Sequence, residues 1–144
     1  MLLLVTPPAE PVVSLAEIKR HVRATEFDDD DDYLQALVGA ATGLVDGPHG
    51  WLGRALVSQT WTYTFDKFPC ERRIYLPLAP TTSITSVAYT DTDGNSTPFT
   101  AFEALGLNST ERAYLTPEYG ESWPTAQDVE GAVTVTFVAG YGAA

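Results

Sequence analysis

Apolar positions recur every three or four residues in two early segments of the chain and every second residue through much of the rest. In "VVSLAEIKRHVRA", Leu15, Ile18 and Val22 fall on one helical face, with Glu17, Lys19, Arg20 and Arg23 outside it. Ser14, with Glu17 three residues later, has the spacing of a capping box, in which each side chain satisfies a free N–H of the first turn. Val13 and Ile18 are spaced as a hydrophobic staple. The pattern predicts a first helix over 15–24. In "FDDDDDYLQALVGAATGLVDGPHG", Leu34, Leu37, Val38, Ala41 and Val45 repeat at helical spacing until Gly47 and Pro48 end the run. Asp28 to Asp32 fall at the start of this second helix, where carboxylates cap free N–H groups and favour the positive end of the dipole. Gly39, Ala40, Ala41 and Gly43 are small enough to let another helix or subunit approach closely.

After Gly53 the period falls from 3.6 to 2. "TWTYTFD" alternates Thr60, Thr62 and Thr64 with Trp61, Tyr63 and Phe65, a strand with one hydroxyl and one aromatic face. "RRIYLPL" reads as a strand stopped by Pro77. "SITSVAYTDTDGNSTPFTAF" reads as a hairpin with a two-residue turn at Asp93-Gly94. "RAYLTP" adds a short strand, and "AVTVTFVAG" a last one with Val133, Val135 and Phe137 inward. The expected fold is α+β: an N-terminal helical pair followed by a mostly antiparallel β region of five or six strands. Residues 1–53 form the helical region and 54–144 the β region, joined in one compact unit.

Composition narrows the class. A chain of 144 residues, 44% hydrophobic, buries roughly two-thirds of its unfolded surface and needs no covalent staples. The lone Cys70 excludes an intramolecular disulfide and thiolate zinc clusters. The apolar start Met1 to Val5 lacks the basic flank and length of a signal peptide and runs into Pro7 and Pro8. No apolar run approaches the ~20 residues that span a bilayer, so no membrane role is expected. With 19 acidic and 8 basic residues the net charge is −11, which opposes a nucleic-acid grip built on clustered Lys and Arg. Acidity of this kind commonly serves solubility.

Candidate chemistry is sparse. Five consecutive aspartates at a helix start point in different directions and suit capping better than a metal. "DTDGN", Asp91 to Asn95, begins like a calcium loop, but its sixth and twelfth positions, Ser96 and Phe102, lack the required Gly and Glu. A hairpin turn explains it. His21 and His49 have no acid or nucleophile at motif spacing. "GPHGWLG" does not have the spacing of a dinucleotide loop and no strand precedes it, so a helix end and a turn account for its glycines. Trp51, Trp61, Tyr63, Phe65, Tyr114, Tyr119 and Trp123 can line a sugar-binding face, yet strand alternation assigns most of them to a core. A carbohydrate-binding β module with exposed aromatics is the alternative function, weakened by the helical first third. A metal-dependent hydrolase, centred on Asp91 and Asp93, is a third. No catalytic, cofactor-binding or metal-ligating residue is assigned, and no cofactor is expected.

Several segments occur in a telling order: "LVTPPAEPVVSLAEIKRHVR", "DDDDDYLQALVGAA", "GRALVSQTWTYTFDKFP", "IYLPLAPTTSITSVAYTDTDG", "YGESWP" and "VTVTFVAGYG". Together they resemble, over almost the whole chain, the tailed-phage head–tail connector family (adaptor or head-completion proteins), which also occurs in gene transfer agents. In that family "AGYG" is usually followed by a proline-containing linker and a long helix; the sequence here runs to Ala144, and departs from the pattern at that point. The resemblance implies a non-enzymatic virion protein of the neck, assembled in the host cytoplasm. It implies a ring of copies, usually a dodecamer, bound below the portal protein and presenting a surface to the next neck or tail (stopper) protein. The ring extends a channel through which DNA passes without sequence-specific binding. An acidic chain suits such a conduit, although Arg72 and Arg73 form a local basic patch.

Overall fold

A computed structural model describes residues 1–143. In chain order the elements are β1 (Leu2–Thr6), α1 (Leu15–Val22), α2 (Asp31–Val45), β2 (Gln59–Phe65), β3 (Ile74–Tyr75), β4 (Thr81–Thr90), β5 (Ser96–Pro98), β6 (Phe102–Leu105), β7 (Tyr114–Pro117) and β8 (Val133–Ala139). The fold is α+β, with a helix pair and two antiparallel sheets of order β1-β2-β8-β4-β5 and β3-β7-β6.

Strand β8 is the centre of the larger sheet. Val133, Val135, Phe137 and Ala139 alternate inward and are fully buried, as their period-2 spacing predicts. Trp61 and Val87 reach the same core from the flanking strands, and Ile74, Leu76, Leu78 and Leu115 cover it from the side of the smaller sheet. Fully burying an aliphatic or aromatic side chain contributes about 1.5–3 kcal/mol. A second aromatic layer joins the loops to this body. Phe68 stacks on Trp123 at 5.1 Å and meets Tyr89 edge-on at 5.7 Å, so "DKFP" and "YGESWP" are fastened together.

The segment after β8 completes the sheet. Tyr141 N–H donates to the Leu56 carbonyl at 3.1 Å, and Ser58 N–H to the Gly142 carbonyl at 2.8 Å. Gly140 adopts φ +130°, and a Cβ there would overlap the backbone of Val57 and Ser58. Glycine is therefore required at the first G of "AGYG".

Several expectations change. Residues 1–53 are not all helical, because β1 pairs antiparallel with β2; five apolar residues before a proline carry too little pattern to declare a strand. Among the described residues the β region after Gly53 holds seven strands, β2 to β8, where five or six were expected. The expected return strand of the hairpin ends at Pro98, and Phe102 opens β6 in the other sheet. Helix α1 ends at Val22, not Ala24, because Arg23 turns left-handed at φ 61° and the Ala24 N–H caps the Lys19 carbonyl. The hairpin turn is wider than two residues. Asp91 N–H bonds the Asn95 carbonyl and Gly94 N–H bonds the Asp91 carbonyl, leaving a three-residue loop with Gly94 at φ +86°.

Two substitutions test this account. Gly140→Ala is expected to lower stability by at least ~2 kcal/mol, because strain at positive φ adds to backbone overlap; an unchanged urea midpoint would contradict the close approach. Ser14→Ala is expected to cost about 1 kcal/mol of cap energy, read as a smaller midpoint shift without a change in slope.

Candidate functional site: the helix pair and its surface

The helix pair stands apart from the β body. α1 and α2 pack on each other, contact with the strands is sparse, and neither helix contributes to the main core. Local chemistry defines the hairpin well. Ser14 Oγ accepts from the Glu17 N–H at 3.3 Å while Glu17 Oε2 accepts from the Ser14 N–H at 2.9 Å, so the capping box forms as spaced. The bond from the Ser14 side chain, helped by that from its backbone, holds the Glu17 carboxyl below its usual range.

The aspartate run does something its position alone does not announce. Asp30 is the N-cap of α2 but makes no side-chain cap bond. Instead Lys19 Nζ of α1 lies 2.6 Å from Asp28 Oδ1 and 2.8 Å from Asp31 Oδ1, its side chain only 10% exposed. Hydrogen bonds to Asp28 and then Asp31 push the ammonium above its ordinary pKa. One cation thus clips both ends of the connection between the helices, and dipole stabilisation by Asp31 and Asp32 remains as a secondary effect.

At its other end α2 is tied to the β body. Trp51 N–H donates to the Leu44 carbonyl at 2.8 Å and Gly47 N–H to the Arg54 carbonyl at 2.7 Å, so "GPHGWLG" is the expected helix end and turn. Asp46 Oδ1 accepts from the Leu56 N–H at 2.7 Å, and its carboxylate also accepts from Gln59 Nε2. The helix is anchored at both ends, yet its length is uncovered. From Tyr33 to Val45 it carries no charged residue, and only Leu34 is buried. Tyr33, Leu37 and Leu44 are 65%, 47% and 73% exposed. An apolar groove of about 440 Å³ runs along the pair, lined by Val13, Ile18, Val22, Leu34, Leu37 and Ala41 among others. A side chain added at Gly39 or Gly43 would meet nothing.

The other candidates disperse. Asp91 is a turn brace: its carboxylate accepts from the Asn95 and Asp93 N–H groups, both at 2.9 Å, and from Thr97 Oγ1. The Asn95 amide, followed by Thr97 and Asp93, holds its pKa below the usual carboxylate range. Among the described residues no group of three or more His, Cys, Asp or Glu side chains is placed to hold a metal ion. His21, His49 and Cys70 are exposed and separate. Arg72 donates to the carbonyls of Pro117 and Glu118, and Arg73 lies 4.8 Å over the Tyr114 ring, so both guanidinium groups of the basic patch have intramolecular work. Of the aromatic set, Trp61 is buried, and Tyr63, Phe65 and Trp123 pack on the core, while Tyr114 pairs with Tyr75. Trp51 and Tyr119 stand exposed, and neither ring packs on another among the described residues.

An α+β unit that leaves an uncharged flank of its second helix open fits a class of protein that packs against other protein. Comparison with solved structures narrows that class. The chain is similar over its full length to a chain in the neck of an empty gene transfer agent (GTA) particle computed with C6 symmetry, at 25% identity and a TM-score of 0.73, covering 73% of that chain. It is similar likewise to a chain of the virion of a native GTA particle, at 24% identity, a TM-score of 0.73 and 73% coverage of that chain. A third similarity is to the neck of a native GTA particle computed with C12 symmetry, at 25% identity, a TM-score of 0.65 and 71% coverage. No protein-family model and no curated protein matches the chain. The structural neighbours agree with the head–tail connector resemblance carried by the sequence segments.

The ion pairs and turn bonds predict two opposite pH responses. Lys19 has a raised folded pKa, so its contribution is complete below its unfolded value of about 10.4 and is lost as pH rises through the higher folded value. Asp91 has a lowered folded pKa, so its contribution is present above about 3.9 and is lost as pH falls through the lower folded value. Amide exchange at Asp93 and Asn95 is expected to accelerate, beyond the intrinsic pH trend, only in the acid window. Lys19→Met is expected to loosen the helix pair while leaving exchange in β8 unchanged; equal loss in both would mean that the clip supports the whole fold.

Proposed function

We propose that this chain is a structural, non-enzymatic component of a virion neck, acting as a head–tail adaptor in a gene transfer agent or related phage-like particle. The observation that carries this reading is similarity over the full chain to GTA neck and virion structures, two of them neck reconstructions, one with C12 symmetry. Its localisation is the virion neck. In this reading copies form a closed ring, with twelve subunits as the expected number. One face docks on the portal protein and the other receives the next neck or tail protein. The ring continues the DNA channel. No catalytic, metal or cofactor site takes part.

The electrostatics suit this role. Duplex affinity comes mainly from counterion release by Lys and Arg, and here 19 acids outweigh 8 bases. Lys19 is occupied by Asp28 and Asp31, and Arg72 and Arg73 by neighbouring carbonyl and aromatic groups. DNA therefore meets a chain in which acids outnumber bases by more than two to one, and passes without being held.

Reconstruction of the particle neck with a labelled copy of this chain tests the assignment. A ring between portal and tail is expected; one or two copies elsewhere in the particle would reject it. Isolated protein is expected to give no duplex gel shift at moderate salt, whereas tight, salt-sensitive retention would contradict the passive conduit.

A further inference from the structure

We propose that the α1–α2 hairpin is the joint between neighbouring copies, the exposed flank of α2 in one copy being covered by the helix pair of the next. This rests on the neck reading above and names the partner of one surface. Exposed large apolar side chains beside an open apolar groove mark a surface that another protein covers. α2 carries no charge across Tyr33–Val45 in a chain with 27 charged residues, yet Leu37 and Leu44 face outward and the groove beside them is open. The β body does not supply the missing cover, because the two helices pack on each other and contact with the strands is sparse.

Charge on the hairpin selects a second copy as the occupant. Among the described residues Lys19 makes the ion pairs, taking up Asp28 and Asp31. Arg20 on α1 and Arg23 at its C-cap, and Glu26, Asp29, Asp30 and Asp32 on the connection and first turn of α2, are exposed and left without an ionic partner there. One hairpin thus presents a basic helix and an acidic tip flanking one apolar surface. Two copies satisfy both by meeting head to tail, Arg20 and Arg23 of one set against the acidic tip of the other. Such a contact uses two different patches, so it repeats around a ring instead of closing as a two-fold dimer. Opposed charges fix the direction while the uncharged flank supplies the burial.

The test uses full-length chain assembled into particles. Leu37→Glu with Leu44→Glu changes exposed positions, and unchanged melting and circular dichroism establish that the fold is kept. Loss of the ring from the neck is expected. Arg20→Glu with Arg23→Glu is expected to cause the same loss, and adding Asp29→Arg with Asp30→Arg to that chain is expected to restore the ring. Leu44→Cys in a Cys70→Ser background is expected to crosslink, through a bifunctional thiol reagent, into covalent pairs of copies, the largest product that one thiol per copy allows. If the leucine variant still forms a normal ring, the joint lies elsewhere and this inference fails while the neck assignment stands. If the ring is lost but the reversed charges do not restore it, and the cysteine links to portal or to another protein, a different occupant covers α2 and the copy-to-copy joint is rejected. Absence of the wild-type chain from the neck overturns the neck assignment itself.

Discussion

The placement of β8 governs the rest of the structure. This strand, formed by residues 133–139, lies between β2 and β4, and all four of its inward side chains are fully buried. Until it inserts, β2 and β4 have no common neighbour and the smaller sheet has no surface to pack on. The central contacts therefore join residues separated by 44 to 80 positions, and ordering of the loop between them must precede their gain. The backbone contact of Gly140 with Val57 closes the arrangement, since Tyr141 and Gly142 bond on to Leu56 and Ser58.

That centre also explains the distribution of charge. β1, β2, β4 and β8 contain no charged residue. Their outward positions are largely Thr and Ser, with Thr62 and Thr136 facing one another across β2 and β8. Charge is confined to α1, the helix connection, the first turn of α2, loops and short strands. Acidity consequently keeps the periphery hydrated, while the sheet and α2 remain neutral surfaces against which other protein can pack. A neck component needs both properties, solubility before assembly and contact area after it.

The hairpin shows how a single ion can redirect a familiar motif. Five aspartates before a helix suggest caps and a favourable dipole, and the dipole argument survives for Asp31 and Asp32. Yet Lys19, twelve residues before Asp31, draws Asp28 and Asp31 to itself, because a nearly buried ammonium needs anionic partners more than α2 needs a side-chain cap. The result stiffens the connection and leaves the remaining acids pointing outward.

Local signals were legible wherever the physics is local. Ser14 and Glu17 define the first helix because both halves of a capping box lie within one turn. The alternation of "VTVTFVA" defines β8 because period 2 forces one face inward. The order of the segments was enough to place the chain beside head–tail connectors, and the structural neighbours agree. What required the tertiary structure involves partners distant along the chain. Leu2–Thr6 becomes a strand only because the β2 edge is free to receive it. Gly140 is obligatory only because Val57 passes beside it. The apolar stripe of α2 reads in sequence as one helical face, with small residues that let another helix or subunit approach. The fold buries Leu34 of that stripe and leaves Leu37 exposed, because periodicity records that a face is apolar and carries no record of which molecule will cover it.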